Sequence, residues 1–235
     1  RDGRSSGQTL TKAGAGTLRL SGNNTSLAMW TISAGTLEIG AAGRLTSGNY
    51  AANITNNGAF IYSGTNNQIL SGVISGSGAL TKNASSTLTL SGNNTYSGTT
   101  TINAGTIEIG AAGRLGAGTY AQNITNNGTL IYSGTNAQTL SGVISGTGNL
   151  TQNASSTLTL SGANTYTGTT TVNAGTLAIS NNMTIGAITG SGNLSLGSGF
   201  TLTSNSTSNS TFSGVISGSG ALAKNGASTL TLGGN

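Results

Sequence analysis

The chain has 235 residues, of which 5% are charged, with a formal net charge of +5, 40 glycines and no proline, cysteine or histidine. The missing cysteine excludes disulfides and thiolate chemistry, and the missing histidine excludes Ser-His-Asp catalysis and the usual metal ligands. The basic residues are scattered from Arg1 to Lys224 without the convergence that phosphate binding needs, so no nucleic-acid partner is expected.

At the start, Arg1-Asp2-Gly3-Arg4-Ser5-Ser6 lacks the apolar run of a signal peptide. No later stretch approaches the ~20 apolar residues of a membrane span, so this segment is not expected to insert into a bilayer. Low charge with many Gly and Ser would suit a disordered linker, but the Leu and Ile residues recur at fixed places. Residues 11–80 align on 81–150 without a gap, with 48 of 70 positions identical. A third copy starts at Thr151, follows the pattern through Ile179, diverges over 180–212, and is restored at Ser213-Gly214-Val215-Ile216-Ser217-Gly218.

Within the copies, polar and apolar residues alternate in short runs: Thr87-Leu88-Thr89-Leu90, Thr106-Ile107-Glu108-Ile109, Thr157-Leu158-Thr159-Leu160, Thr176-Leu177-Ala178-Ile179 and Thr229-Leu230-Thr231-Leu232. Period two predicts strands. Each run ends at Gly, Asn or Ser, as in Ser91-Gly92-Asn93-Asn94 and Asn103-Ala104-Gly105, residues that accept sharp corners. Short strands, tight corners and a long repeat predict an all-β, parallel β-helix (β-solenoid) in which each coil pairs with the one before. With a little over about twenty residues per coil, a repeat the length of 11–80 holds about three coils. The rod would have about ten coils and a length of about 50 Å. A β-propeller, with repeats of about 40–50 residues, fits less well. The expectation is one solenoid over 1–235, with copies 11–80, 81–150 and a divergent 151–235. Equivalent residues, Leu88, Leu158 and Leu230 for example, are expected to stack in one column. Neither end carries a recognisable cap, which predicts a fragment or a unit whose ends meet neighbours.

The run from Gly78-Ala79-Leu80-Thr81-Lys82-Asn83 through Thr87-Leu88-Thr89-Leu90-Ser91-Gly92-Asn93-Asn94-Thr95-Tyr96-Ser97-Gly98 to Thr106-Ile107 resembles the autotransporter-associated β-strand repeat of Gram-negative type V secreted proteins. Leu150 to Leu177 carries a second match. Leu10 to Leu37 carries a third, which departs at Ser26-Leu27-Ala28-Met29-Trp30, and a partial match begins at Gly218. The resemblance implies a right-handed β-helix, export, and a stalk or adhesin role in a long surface protein. It implies no ligand. The C-terminal membrane β-barrel usual in the family has no counterpart in this sequence.

The acids are Asp2, Glu38 and Glu108. Glu38 and Glu108 hold the same place in successive copies, and three coils would separate them by about 14 Å, too far for a glycosidase pair at about 5–9.5 Å. Neither a catalytic, a cofactor-binding nor a metal residue is assigned, and the chain is read as not an enzyme. Glu38 with Arg44, and Glu108 with Arg114, are expected to pair across a corner. Gly76-Ser77-Gly78 lacks the Gly-Lys-Ser/Thr of a phosphate loop, and the Asp pattern of calcium-binding solenoids is missing. Thr pairs such as Thr99-Thr100-Thr101 and Thr169-Thr170-Thr171 raise ice binding, but similar pairs return only once per copy. Tyr50, Tyr62, Tyr96, Tyr120, Tyr132 and Tyr166 are read as cover for corners or edges of the core, with a carbohydrate platform as the competing reading. Trp30 has no counterpart in later copies and is read as a local surface feature. The expected role is therefore a structural or adhesive stalk segment, extracellular and at the bacterial surface. The alternative is a self-assembling fibre or sheath subunit, with itself or a cell-surface or host ligand as partner.

Overall fold

A computed structural model describes residues 8–234 of the chain. The chain winds as an all-β parallel solenoid of about 11 turns. Among the described residues there is no α-helix, only a short 3-10 turn at Gly116–Gly118. No helix among them is long and apolar enough to cross a membrane.

Each turn visits three faces in the same order. On the first face, Leu10, Trp30, Ile54 and Ile74 stack in register. Higher on that face lie Gln138, Leu158, Leu177, Leu194 and Ile216. The second face carries Leu18, Leu37, Phe60, Leu80, Thr100, Ile124 and Ile144, then Met183, Leu202 and Leu222. On the third, Asn24 and Leu45 are followed by Gln68, Leu88, Ile107, Leu130, Leu150, Thr170 and Ile188, with Ser210 and Leu230 at its end.

The predicted alternation places Leu88, Leu90, Ile107, Ile109, Leu158, Leu160, Leu177 and Ile179 inside, each no more than 1% exposed. Burying one such aliphatic side chain contributes about 1.5–3 kcal/mol. The intervening threonines face outward because successive strand side chains point to opposite sides.

The copies do not stack as the sequence reading expects. Leu88 lies on the third face and Leu158 on the first, although Leu230 returns to the third. Phe60 and its counterpart Leu130 also occupy different faces. The cause is coil length. On the second face Leu80 stacks beneath Thr100, Thr100 beneath Ile124, and Ile124 beneath Ile144. Three coils therefore carry the chain from Leu80 only as far as Ile144, whereas the counterpart of Leu80 in the next copy is Leu150. The stretch from Ile144 to Leu150 takes the chain on to the third face, so this copy makes three coils and one further face, whereas from Leu158 three coils end at Ile216 and two further faces lead to Leu230.

Corners are built where a side chain cannot fit. Gly105 has φ 72°, and a Cβ there would lie 2.1 Å from the Ala84 carbonyl oxygen on the coil below. Gly14 has φ 73° but faces open space. Gly14→Ala therefore meets only the left-handed backbone penalty, about 1 kcal/mol. Gly105→Ala must also move a backbone carbonyl and is expected to cost at least about 2 kcal/mol. Urea midpoints of the two variants measure the difference; equal losses would contradict the close coil contact.

Candidate functional site

The charged residues do not converge. Glu38 sits on the second face and Glu108 on the third, so rotation between copies adds to their separation along the rod. Asp2 lies outside the described residues. Among the described residues no group of three or more His, Cys, Asp or Glu comes together.

The expected corner pairs are replaced. Glu38 meets Arg19 of the coil below, Nε to Oε2 at 3.7 Å, because the two residues are in register on adjacent strands. Residues 40–43 form the corner between Glu38 and Arg44, with Ala41 at φ 53°. In the second copy the position of Arg19 is taken by Thr89, whose hydroxyl approaches Glu108 Oε2 at 3.4 Å. The Arg44 and Arg114 guanidiniums instead lie near Tyr62 and Tyr132, where their charge opposes the upward shift that burial gives each phenol.

Two basic residues that the sequence treats as scattered charges are buried. Lys12 Nζ donates to the carbonyls of Ala13, Gly14 and Ala34. Lys82 is 0% exposed, donates to the Ala84 carbonyl, and lies 5.5 Å from the centre of the Tyr62 ring. In the third copy Gln152 does the same work, donating to Ala154 O at 3.2 Å and Ser156 O at 2.7 Å. The position needs a long donor that curls under the corner and satisfies its inward carbonyls. The alternation of strand positions 79–82 places residue 82 inside; only the residue type hides it.

All six tyrosines are buried, none more than 1% exposed, so the reading as core cover holds and their rings form no exposed platform. Tyr96 and Tyr120 pack edge-on with centroids 5.6 Å apart, and both hydroxyls meet Thr100 Oγ1 at 2.8 Å. Burial pushes Tyr50 up to about 12 and raises Tyr96 and Tyr166 strongly. Trp30 is also interior, 4% exposed, contrary to its reading as a surface feature.

The outer surface is largely hydroxyl. Thr151, Thr171 and Thr189 stack on consecutive coils of the third face, with Thr211 and Thr231 above. This corrects the expectation that threonines recur only once per copy, since rotation superposes non-equivalent positions. Lower on the same column Glu108 and Ile131 interrupt the row.

Each copy breaks the ladder once, near residues 25–28, 94–98 and 164–168. The breaks fall on the third, first and second faces in turn, and a groove lies beside each. Their volumes are about 290, 320 and 410 Å³ in chain order. In the second copy Tyr120 donates its hydroxyl to Gly98 O at 2.5 Å. Asn94 Nδ2 is held by the carbonyls of Gly92, at 2.8 Å, and Arg114, at 3.2 Å. In the first copy Tyr50 donates to the Ala28 carbonyl. The third copy lacks a counterpart of Arg114 and of Tyr120, because its coil closes early: it runs only from Thr170 to Ile188, where the second copy runs from Thr100 to Ile124. Asn164 Oδ1 still accepts from Ile144 N at 2.7 Å, but its Nδ2 is buried without a partner.

Three segments of the chain, 10–39, 80–109 and 150–179, match the family model of the passenger-associated-transport-repeat. They are the segments on which the sequence carries its resemblance to the autotransporter passenger repeat. Comparison with curated proteins and with solved structures gives no match.

Lys82 makes the buried corner testable. Desolvation lowers its ammonium from 10.5 to about 8. Between those values the unfolded chain binds more protons than the folded one, so stability rises with pH across that window, by at most about 3 kcal/mol. Above about pH 10 the unfolded tyrosines ionise while the buried ones stay neutral, and stability falls. Urea midpoints from about pH 7 to about pH 11 should therefore rise and then fall for the parent chain. Lys82→Gln, which copies Gln152, should keep the fall and lose the rise.

Proposed function

We propose that the chain is a stalk segment of an exported autotransporter passenger, standing outside a Gram-negative cell as a right-handed β-helical rod that spaces or presents adhesive parts. The observation that carries this reading is where the matched repeat places its residues. In 80–109, Leu80, Lys82, Leu88, Leu90, Ile102, Ile107 and Ile109 all point into the coil. A signature made of interior residues builds a rod and leaves its outer chemistry free.

The mechanism is mechanical. Pulling along the rod loads every inter-coil hydrogen bond, while proteases find few long exposed loops. With few surface charges, neighbouring rods repel one another little, which also supports the second reading, a self-assembling fibre or sheath subunit. We assign it no catalytic role.

Sedimentation velocity and electron microscopy of the purified chain distinguish the two. A stalk segment should remain a discrete rod about 50 Å long from micromolar to millimolar concentration. Concentration-dependent growth into filaments or bundles would replace the stalk reading with the fibre. Export is tested on cells expressing the full-length protein: external protease should remove an epitope placed at exposed Asn205 without lysis, and protection of that epitope would contradict surface display.

A further inference from the structure

We infer that the groove above Asn164 is a binding site for an uncharged, hydroxyl-rich ligand of the neutral glycan class. Three observations carry it. The groove is the largest of the three equivalent ones, about 410 Å³. Its copies in the first and second repeats are braced by Tyr50 and Tyr120, whose counterpart the third repeat has lost. At its base Asn164, 3% exposed, holds an amide nitrogen with no hydrogen-bond partner, whereas the equivalent Asn94 nitrogen is bound by two carbonyls.

The lining fixes the ligand chemistry. It contains no ionisable side chain: Thr165, Thr167, Thr184, Thr201 and Thr203 supply hydroxyls, and Met183 and Ala163 add apolar surface. A charged ligand would lose hydration and find no counter-charge. A neutral sugar chain presents ether and hydroxyl oxygens for the Asn164 donor, hydroxyls for the threonines, and C–H surface for Met183. A ligand oxygen at Asn164 Nδ2 satisfies a donor that the fold leaves unpaired. This inference stands on the groove and is independent of the export reading.

The test is a titration of the 15N-labelled chain, followed by NMR, with cellohexaose, maltohexaose and N-acetylchitohexaose, and with an uncharged Gly/Ser hexapeptide in parallel. At least one glycan should shift the Asn164 side-chain amide and the amides of Thr165, Thr184 and Thr203 saturably, leaving Asn94 and Thr95 unmoved. Thr203→Arg, at a partly exposed outward position, should weaken that binding at least tenfold while the remaining spectrum is retained. Thr184→Trp, which fills the groove, provides a second variant with the same expected loss. The proposal is overturned if no glycan gives a saturable shift, if the peptide alone does, or if both variants bind as the parent does.

Discussion

The in-register parallel ladder between successive coils is the constraint on which the rest depends. Once each strand pairs with the strand one coil below, every inward residue packs against the residues in register above and beneath it. Every corner must also dispose of backbone groups that the ladder does not use. The chain solves the second requirement locally. Lys12, Lys82 and Gln152 reach the carbonyls of their own corners, and Gln138 clamps both backbone groups of Leu115. Ammonium and amide are interchangeable at the corner because reach and donor capacity matter there more than charge.

Coil length then decides how the copies are arranged. Because three coils from Leu80 close at Ile144, short of its counterpart Leu150, each column mixes non-equivalent positions. The column through Leu88 runs Gln68, Leu88, Ile107, Leu130, Leu150, Thr170 and Ile188. A residue chosen for one copy must therefore pack against neighbours drawn from different points of the repeat. That explains why most inward positions are Leu, Ile, Phe or Tyr, which pack against varied neighbours, with polar exceptions such as Gln68 and Thr170 in this column. Surface features are carried round the rod in the same way, so a motif repeated in every copy is displayed on all three faces and gives the rod no single front.

The strands, their inward residues and the corner glycines were legible because alternation and Gly-Asn punctuation are local signals. Rotation was not legible. It depends on the summed coil lengths, which close three coils from Leu80 at Ile144, short of Leu150, even though the coil from Thr100 to Ile124 is longer than that from Leu80 to Thr100. The extra length is absorbed in the stretch around Gly116–Gly118, where the sequence alternates no differently from any other corner. For the same reason the ion pair was misplaced. Proximity along the chain pointed from Glu38 to Arg44, while the ladder set Arg19 beside it. Burial of Lys82 was hidden by residue type, since a lysine reads as surface unless its strand phase is given more weight than its charge.

The matched repeat describes the scaffold, so differences between copies carry the individuality of this chain. In the first copy the departure at Ser26-Leu27-Ala28-Met29-Trp30 places an indole where later copies have Thr100 and Thr170, and Trp30 Nε1 is buried without a partner. In the third, the shortened coil removes the tyrosine brace and exposes a changed groove beside Asn164. The first departure reaches into strand Met29–Ile32, where Trp30 stands in the column between Leu10 and Ile54, and the second lies in the divergent stretch 180–212, beyond the break at 164–168. An interior column thus accepts an indole between Leu10 and Ile54, and a whole coil can shorten while Thr170 and Ile188 stay in register. Divergence between copies is therefore carried by single column positions and by coil length, while the ladder between coils is kept.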